Sequence, residues 1–462
     1  MNIQISSDRA REQPASSKGQ GGASNAIGVV HRAHIGIQIY LLITELLFFF
    51  GPWDWTVPAP YSLLLFLIAV HISIFIAYFV ATKKTERNLR SGVYFWHDID
   101  SIKFLKVAIV VGLILAIPTS LSRSGAIFPN VIGGLDNLGA AYNENFDRLQ
   151  SGNAFAFVEY LRILLSPLLI GQLGLLIFFW RLLSFGWRAS GILLITFSTL
   201  VYIAVGVNKG LADLVVLGPI LFYLAKVSRG ESSRAVLTGR NVFAAAAFVL
   251  FLVFFGQTQE LRQGGVGING VFYTGSTLIY ADASALPSWV SDQWIIVYQS
   301  LSGYLTQGYQ ALAFSFDTDR AFTWGFGHSF FLTDQATYLF DTSYFENNNL
   351  PALIESQYGW SRFFSWHTAY VWLISDLGYV GTVVLVGLFA FLLFISIVRI
   401  IVGPDALSVI LLQQLVVFFL YLPANNQVFQ NGEVLVGSVL VFLLSMRFNH
   451  TGFATLMRPT GP

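Results

Sequence analysis

Residues 61–80 read YSLLLFLIAVHISIFIAYFV and contain no Lys, Arg, Asp or Glu. A helix rises about 1.5 Å per residue, so about 20 residues cross the roughly 30 Å hydrocarbon core of a bilayer. This stretch therefore predicts a membrane-spanning helix with His71 near its middle.

Nine further apolar segments indicate that the same fold extends over most of the chain. Of its 462 residues 55% are hydrophobic and 11% are charged, against roughly 25% charged residues in globular proteins. We therefore predict an all-α, polytopic integral membrane protein with about ten transmembrane helices. The further segments are residues 35–52, 104–120, 158–180, 191–207, 211–227, 242–255, 379–401, 408–422 and 434–446.

Charge and cysteine content exclude several kinds of function. The formal net charge is +1, so no overall positive field attracts nucleic acid. The chain has no Cys, which excludes disulfides, a thiolate nucleophile and cysteine-ligated metal centres. We expect no nucleic-acid partner and place the chain in the lipid bilayer.

The distribution of cations predicts which loops face the cytoplasm. With both termini inside, 19 of the 26 Lys and Arg residues lie on the cytoplasmic side, as the positive-inside rule requires. The predicted divisions are a disordered cytoplasmic tail (1–33), helices one to seven (34–256) with an outer loop (121–156), a large periplasmic loop (257–366), helices eight to ten (367–447) and a second cytoplasmic tail (448–462). A short outer turn at Asn208 and Lys209 is required, and a re-entrant hairpin there is the alternative.

Ionisable residues inside apolar segments usually face a partner or a cavity. Glu159 and Arg162 are three residues apart and predict a local ion pair, and Lys209 and Asp213 predict another. His71 is interpreted as a hydrogen-bonded packing residue.

The large loop is acidic, and its cations are all arginines. It contains nine acids and three Arg but no Lys, for a formal charge of −6. Because guanidinium groups suit bidentate recognition of phosphate, Arg262, Arg320 and Arg362 indicate an anion site. The alternative is pairing with neighbouring acids, as in Glu260 with Arg262 or Asp319 with Arg320. Within this loop, residues 293–316 are amphipathic enough to lie along or dip into the membrane.

Motifs of soluble enzymes are absent from suitable contexts. Gly265, Gly267 and Gly270 match a dinucleotide-binding spacing, but no strand precedes them. His328 and His367 lack carboxylates at metal-binding spacing, so we predict no metal site and no cofactor. Any reaction must then use a substrate that is already activated.

Residues 366–381, WHTAYVWLISDLGYVG, close the large loop and open a span. This stretch resembles the corresponding segment of the bacterial O-antigen polymerase (Wzy) family, in which an aromatic stretch leads into an acidic-x-Gly-x-x-Gly helix entry. It is also similar to that of the related O-antigen ligases, where a His opens the segment. Residues 304–309, YLTQGY, resemble a polymerase loop motif, and one dominant outer loop late in the chain agrees with the family's architecture.

The resemblance implies a GT-C-like, metal-independent glycosyltransferase of the bacterial inner membrane with its active site facing the periplasm. Its substrate would be an undecaprenyl-diphosphate-linked oligosaccharide, and a chain-length regulator protein is a further candidate partner. The implied catalytic residues are His367 as the base and Arg320 and Arg262 on the diphosphate. The implied substrate-binding residues are Arg362, Lys209, Tyr304, Trp366 and Asp376.

Alternatives remain open for individual residues and for the function. His367 is also explained as a wall residue stacking on sugar, Asp376 as a structural residue, and the loop aromatics as interfacial anchors. The competing functions are an O-antigen ligase acting on lipid A core and a polysaccharide flippase or transporter. A transporter is typically built from balanced repeated halves, whereas the polar mass of this chain is concentrated in one loop.

Overall fold

The computed structural model describes residues 16–91, 93–97, 100–136, 141, 144, 155–231, 239–262, 270–282, 284, 286–447 and 449–453. It is 76% helical, which confirms an all-α polytopic membrane protein. Among the described residues, six helices are long and apolar enough to cross a membrane. Their spans are Ala26–Phe50, Pro60–Asn88, Ser101–Ser124, Phe185–Ala204, Lys209–Ser228 and Ala369–Val402.

The remaining apolar segments are also helical but shorter or interrupted. Shorter apolar helices are Gln172–Leu182, Ala246–Gln259, Ala406–Tyr421 and Gly432–Met446. The segment predicted at 158–180 is divided into Ala156–Leu164, Ser166–Leu169, Gln172–Phe179 and a 3₁₀ turn at Trp180–Leu182. Pro167 accounts for the first break, because proline has no N–H to donate and its ring clashes with the preceding turn.

The first helix begins earlier than predicted. It runs Ser16–Phe50, so the part of the predicted disordered tail from Ser16 onward is helical. Ala26, Val29 and Val30 are buried, and their spacing places them on one helix face. This apolar face packs against the bundle and extends the helix into the tail. Residues 1–15 lie outside the described residues.

Several further helices extend or subdivide the apolar spans, and the others belong to the two long loops. Helices lie at Pro60–Ser91, Val131–Asp136, Lys209–Ala212, Gly218–Ser228, Gly239–Arg262, Asp292–Ser315, Phe330–Phe340, Tyr344–Asn348, Leu350–Tyr358 and Gly432–Arg447, with a π-helical turn at Asp213–Leu217. Two hairpin strands, Val271–Tyr273 and Leu278–Tyr280, pair antiparallel. The strand Val93–His97 pairs antiparallel with Asn449–Phe453.

One end of the bundle gathers the segments that the cation distribution assigns to a single side. The pairing of Val93–His97 with Asn449–Phe453 joins the second helix to the chain's last described strand. Ser101 Oγ accepts from the Ala406 backbone N–H at 2.9 Å. Arg181 forms an ion pair with Glu231 at 2.9 Å. Lys106 Nζ lies 5.6 Å from the centroid of the Trp187 ring and links these two sets of contacts, which together place five segments predicted to be cytoplasmic at the same end.

The local ion pair predicted between Glu159 and Arg162 is wrong. Glu159 instead binds Arg123 at 3.0 Å, and Arg162 binds Glu433 at 2.8 Å. Glu433 also lies 3.4 Å from Arg123, so two arginines and two glutamates join three helices. Glu159 and Arg162 therefore each pair with a residue on another helix and not with each other. The helix interface excludes the water that would otherwise compete for these charges.

The other two predictions for buried ionisable residues are confirmed. Lys209 Nζ binds Asp213 Oδ2 at 2.8 Å, one helical turn away. His71 Nε2 lies 3.1 Å from Glu45 Oε1, and its Nδ1 contacts the Gln38 side chain. Lys209, Asp213, His71 and Glu45 therefore each have a partner within the protein.

The helix Asp292–Ser315, here called the loop helix, packs inside the protein over much of its length. Its second half is enclosed by protein, and every residue from Thr306 to Ser315 is buried. It packs against the helices Ser16–Phe50 and Gly239–Arg262. Polar residues of this helix bond to neighbouring loops and helices, and its position relative to the membrane stays a prediction.

Candidate functional site

The YLTQGY stretch lies on the loop helix and holds the end of the large loop in place. Gln307 Oε1 accepts from the Trp366 backbone N–H at 3.0 Å. A Cβ at Gly308 would lie within 2.9 Å of the Ala424 carbonyl oxygen and the Thr368 backbone nitrogen. Only glycine allows the two backbone segments to approach so closely. Residues 304–309 therefore bring the segment at Trp366 to the turn at Ala424.

The same stretch is anchored to the first helix and the loop that follows it. Thr306 Oγ1 accepts from Trp55 Nε1 at 3.0 Å. The Tyr309 hydroxyl lies 3.0 Å from Thr44 Oγ1, and both residues are buried. The loop helix is therefore fixed on two sides, which makes it a rigid wall for whatever lies beside it.

A cavity of about 440 Å³, here called the apolar cavity, lies beside this wall. Three residues predicted to bind substrate meet in its lining: Lys209, Tyr304 and Trp366. Tyr304 packs edge-on against Trp366, with ring centroids 6.1 Å apart. Residues more than 150 positions apart in sequence thus form one site.

The apolar cavity is lined mostly by apolar side chains, with a few polar residues among them. Its walls come mainly from hydrophobic side chains, including Phe248, Phe251, Leu252, Phe255, Leu217 and Val417. Its polar residues include Asn208, Lys209, Asp213, Gln259 and Gln427. Among the described lining residues Lys209 is the only cation. An apolar cavity with one ammonium–carboxylate pair in its lining suits an amphiphile whose anionic head takes the place of Asp213 beside Lys209.

The helix that supplies Lys209 is itself irregular. The α-helical turn Lys209–Ala212 passes directly into the π-helical turn Asp213–Leu217. Single π-helical turns within α-helices occur often at functional sites, because the extra residue per turn reorients side chains. Asn208 precedes this turn and donates from Nδ2 to Thr258 Oγ1 at 2.8 Å. This bond joins the turn to the helix Gly239–Arg262.

His367 follows Trp366 and is buried. Its Nδ1 lies 3.1 Å from the Ser365 carbonyl oxygen, which can only accept, so Nδ1 carries the proton. Nε2 is left with a lone pair and has no hydrogen-bond partner among the described residues. Burial lowers the pKa of His367 to about 3, against the smaller opposing effect of the Ser365 bond. The imidazole is therefore neutral at pH 7 and is a weak base.

Asp376 organises the loop of residues 323–328. Its carboxylate accepts from the backbone N–H groups of Gly325 and His328, both at 2.9 Å. Thr323 Oγ1 donates to it at 2.5 Å, and His328 Nδ1 lies 2.7 Å away. So many donors from one loop are typical of an anchoring carboxylate, which agrees with the structural interpretation of this residue.

The glycine of the acidic-x-Gly motif breaks the helix Ala369–Val402. Gly378 has φ 67° and ψ 178°, a conformation that is essentially restricted to glycine. Arg320 Nη1 donates to the Ile374 carbonyl at 3.0 Å, close to this break. A Cβ on Gly378 would lie 2.6 Å from the same Nη1 atom. In the Asp-Leu-Gly sequence, the carboxylate of Asp376 thus anchors the loop of residues 323–328. Gly378 leaves room for the guanidinium group of Arg320.

Among the arginines of the large loop, Arg362 is paired with acids and Arg320 is exposed. Arg362 forms ion pairs with Glu346 and Glu355, each at 3.3 Å, so neighbouring acids neutralise it. The Arg262 side chain lies outside the described residues, although its backbone ends the helix that contributes Gln259 to the apolar cavity. Arg320 is exposed, and its bond to Ile374 leaves further N–H donors available.

Five of the eight predicted site residues fall into two groups. Lys209, Tyr304 and Trp366 line the apolar cavity, while Arg320 and Asp376 lie at the break in the helix Ala369–Val402. Among the described residues no cluster of His, Asp and Glu could hold a metal ion. No protein-family model, no curated protein and no solved structure matches this chain.

Sequence reasoning missed some residues of the apolar cavity. Asn208, Gln259 and Gln427 carry no distinctive motif, although a polar residue at the end of an apolar segment is a usable signal. Asn425, beside the lining residue Ala424, is buried, and both of its amide atoms lack partners among the described residues. The sequence Asn425-Asn426 between two apolar segments could have identified it.

Proposed function

We propose that this protein is an O-antigen polymerase, which transfers a growing undecaprenyl-diphosphate-linked oligosaccharide onto another lipid-linked repeat unit. The observation that supports this proposal is the apolar cavity with Lys209 among its polar lining residues. Isoprenoid chains need apolar walls, and the diphosphate needs a cation near them. In this proposal the lipid lies against residues such as Phe251, and Lys209 holds the phosphate.

The reaction needs no metal ion in this proposal, because the substrate already carries a good leaving group. The terminal hydroxyl of the acceptor attacks the anomeric carbon of the donor chain. A new carbon–oxygen bond forms while the bond to the diphosphate oxygen breaks, and the electron pair leaves on the diphosphate. Lys209, together with Arg262 at the end of a helix that lines the same cavity, would stabilise the charge that develops on this leaving group, whereas Arg320, at the break in the helix Ala369–Val402, lies outside the lining of this cavity.

His367 is the proposed acceptor-binding group. Its unprotonated Nε2 can accept a hydrogen bond from the attacking hydroxyl, because the bond to Ser365 fixes the proton on Nδ1. With a pKa of about 3 the imidazole gains the proton only late, as the diphosphate departs. The role is thus closer to orienting the hydroxyl than to ionising it.

The proposed setting is the bacterial inner membrane, with ten spans in a GT-C-like arrangement and the site facing the periplasm. The gathering of cation-rich segments at one end of the bundle supports cytoplasmic termini. An O-antigen ligase is the second candidate, favoured by the His at position 367. The YLTQGY stretch, whose residues organise the site, favours the polymerase.

The lipopolysaccharide of a strain lacking this protein tests the function. We expect single-repeat caps on the lipid A core instead of a ladder, because capping continues while chain extension stops. Gel electrophoresis of the lipopolysaccharide measures this. Uncapped core would instead identify a ligase, and cytoplasmic accumulation of lipid-linked units would identify a flippase.

The His367→Gln variant tests the acceptor-binding role. Losing the acceptor that orients the attacking hydroxyl misplaces the reacting group, and a misplacement of about 1 Å can slow a reaction by about 10²-fold, so we expect the long-chain ladder to be lost while protein levels stay normal. His31→Gln, near the opposite end of the bundle, is the matched control and should leave the ladder intact. A normal ladder from His367→Gln would mean that proton removal lies elsewhere, with Asp319 and Asp376 the next carboxylates to test.

A further inference from the structure

A second cavity, of about 520 Å³, opens on the other side of the loop helix. We call it the acceptor-lined pocket, because hydrogen-bond acceptors are prominent in its lining. Gln310 and Phe314 of the loop helix contribute to it, whereas Leu301, Tyr304 and Leu305 line the apolar cavity. At 3.6 residues per turn these two sets lie roughly half a turn apart. One helix therefore separates the two cavities.

Gln310 gives this pocket an unfulfilled polar group. The residue is fully buried, and its Nε2 donates to the Thr56 carbonyl. That bond fixes the amide orientation, since a carbonyl can only accept. The Oε1 atom has no partner among the described residues. A buried amide oxygen without a partner is costly, so a ligand that donates a hydrogen bond would be stabilised there.

The charged residues of the pocket select against anions. Its acidic lining residues are Asp54 and Asp282, both exposed, and the described lining contains no Lys or Arg. Asp282 accepts from the Ser284 hydroxyl at 2.7 Å and from its backbone N–H at 2.8 Å. These bonds lower the pKa of Asp282 and keep it a carboxylate. A phosphate or a uronic acid would meet repulsion here.

Aromatic rings complete the lining. Tyr280 is 59% exposed on the hairpin strand Leu278–Tyr280 and offers a free ring face. Tyr358 stacks on Phe314 with ring centroids 4.1 Å apart, and Trp360 is buried beside them. Rings of this kind contact the apolar faces of sugars while carboxylates accept from their hydroxyls.

We propose that the acceptor-lined pocket binds an uncharged pyranose ring of the oligosaccharide, apart from the end that reacts. This inference rests on the proposed function for its biological meaning, but the binding itself does not require turnover. Gln310 Oε1, Asp54 and Asp282 accept from ring hydroxyls, and Tyr280 covers the ring. A helix with side chains is about 10–12 Å thick, so the pocket lies a few sugar units from the apolar cavity.

Sugar binding to the full-length protein in lipid nanodiscs tests the proposal. The probes are the methyl glycosides of glucose, galactose, mannose and N-acetylglucosamine, with methyl glucuronide as the anionic comparison. Saturation-transfer difference NMR measures their affinities. We expect at least one uncharged glycoside to bind, and the glucuronide to bind at least about tenfold more weakly because carboxylates repel it.

Three variants locate the binding. Tyr280→Ala and Asp54→Asn should each weaken glycoside binding by about tenfold, the effect of losing one strong contact. Tyr338→Ala removes another highly exposed tyrosine outside the pocket and should have no effect. The proposal is overturned if no glycoside binds, if the glucuronide binds as tightly, or if Tyr338→Ala weakens binding as much as Tyr280→Ala.

The two proposals can fail separately. Lys209→Met should leave glycoside binding unchanged, because Lys209 lines the other cavity. If the deletion strain keeps its ladder while glycosides bind in a Tyr280-dependent way, the proposed function fails and the sugar site stands. If Lys209→Met abolishes glycoside binding, the sugar lies in the apolar cavity and the present inference is wrong.

Discussion

Replacing Lys209 by Met should nearly abolish chain extension. Lys209 is the only cation among the described residues of the apolar cavity. In our proposal it makes the charge-assisted contact to the diphosphate, and losing such a contact costs about 1.5–3 kcal/mol. Together with lost stabilisation of the leaving group, we expect a decrease of about 100-fold in the rate of polymerisation. The lipopolysaccharide ladder and a turnover assay with purified protein measure the effect.

Two controls separate lost binding from lost folding. Lys209→Met leaves Asp213 without its partner at 2.8 Å, so the double variant with Asp213→Asn removes the unpaired charge. It should remain folded and inactive. Lys83→Met replaces an exposed lysine of the second helix and should extend chains normally. Full activity in the folded double variant would show that the diphosphate binds elsewhere, and Arg262 and Arg320 would be the remaining cations.

Replacing Gly378 by Ala should destabilise the protein by about 3 kcal/mol. Its backbone, with φ 67° and ψ 178°, is strained for any residue with a Cβ. The new methyl group would also lie 2.6 Å from Arg320 Nη1 and displace the guanidinium from the Ile374 carbonyl. Thermal unfolding of the detergent-solubilised protein should show a lower midpoint, and chain extension should be lost with it.

The matched control is Gly36→Ala in the first helix. A Cβ there meets no atom within 4 Å, and alanine favours helix more than glycine does. Gly36→Ala should therefore unfold at or slightly above the wild-type temperature. Equal midpoints for the Gly36 and Gly378 variants would mean that the helix break can relax and that Arg320 does not depend on it.

The helical segments could be predicted because they depend on local composition. Residues 61–80 and 104–120 are apolar over the length of a bilayer, and each lies within one described helix. Helix ends were less predictable. Ala26, Val29 and Val30 extend the first helix, but three apolar residues within a polar tail give a weak signal.

The site was predictable in its residue types but not in its arrangement. Lys209, Tyr304 and Trp366 were identified from separate segments. Their proximity depends on Gly308, which allows the backbone segments at Thr368 and Ala424 to approach the loop helix closely. The burial of His367 could not be predicted from the sequence, because its neighbours in sequence are polar or aromatic. Arg162 pairs with Glu433 and not with Glu159, and this pairing likewise depends on tertiary structure. Sequence spacing predicts contacts only within one helix.

The cluster of Arg123, Glu159, Arg162 and Glu433 has a consequence for biogenesis. Glu433 belongs to the last apolar helix, so a chain still in synthesis holds two guanidinium groups and one carboxylate at that end. An unbalanced charge beside lipid is costly, and synthesis proceeds from the N-terminus. The four charges of this cluster sum to zero only after the final helix, which carries Glu433, has been synthesised. A chain that ends before this helix therefore carries one positive charge more than its carboxylates can balance at this cluster.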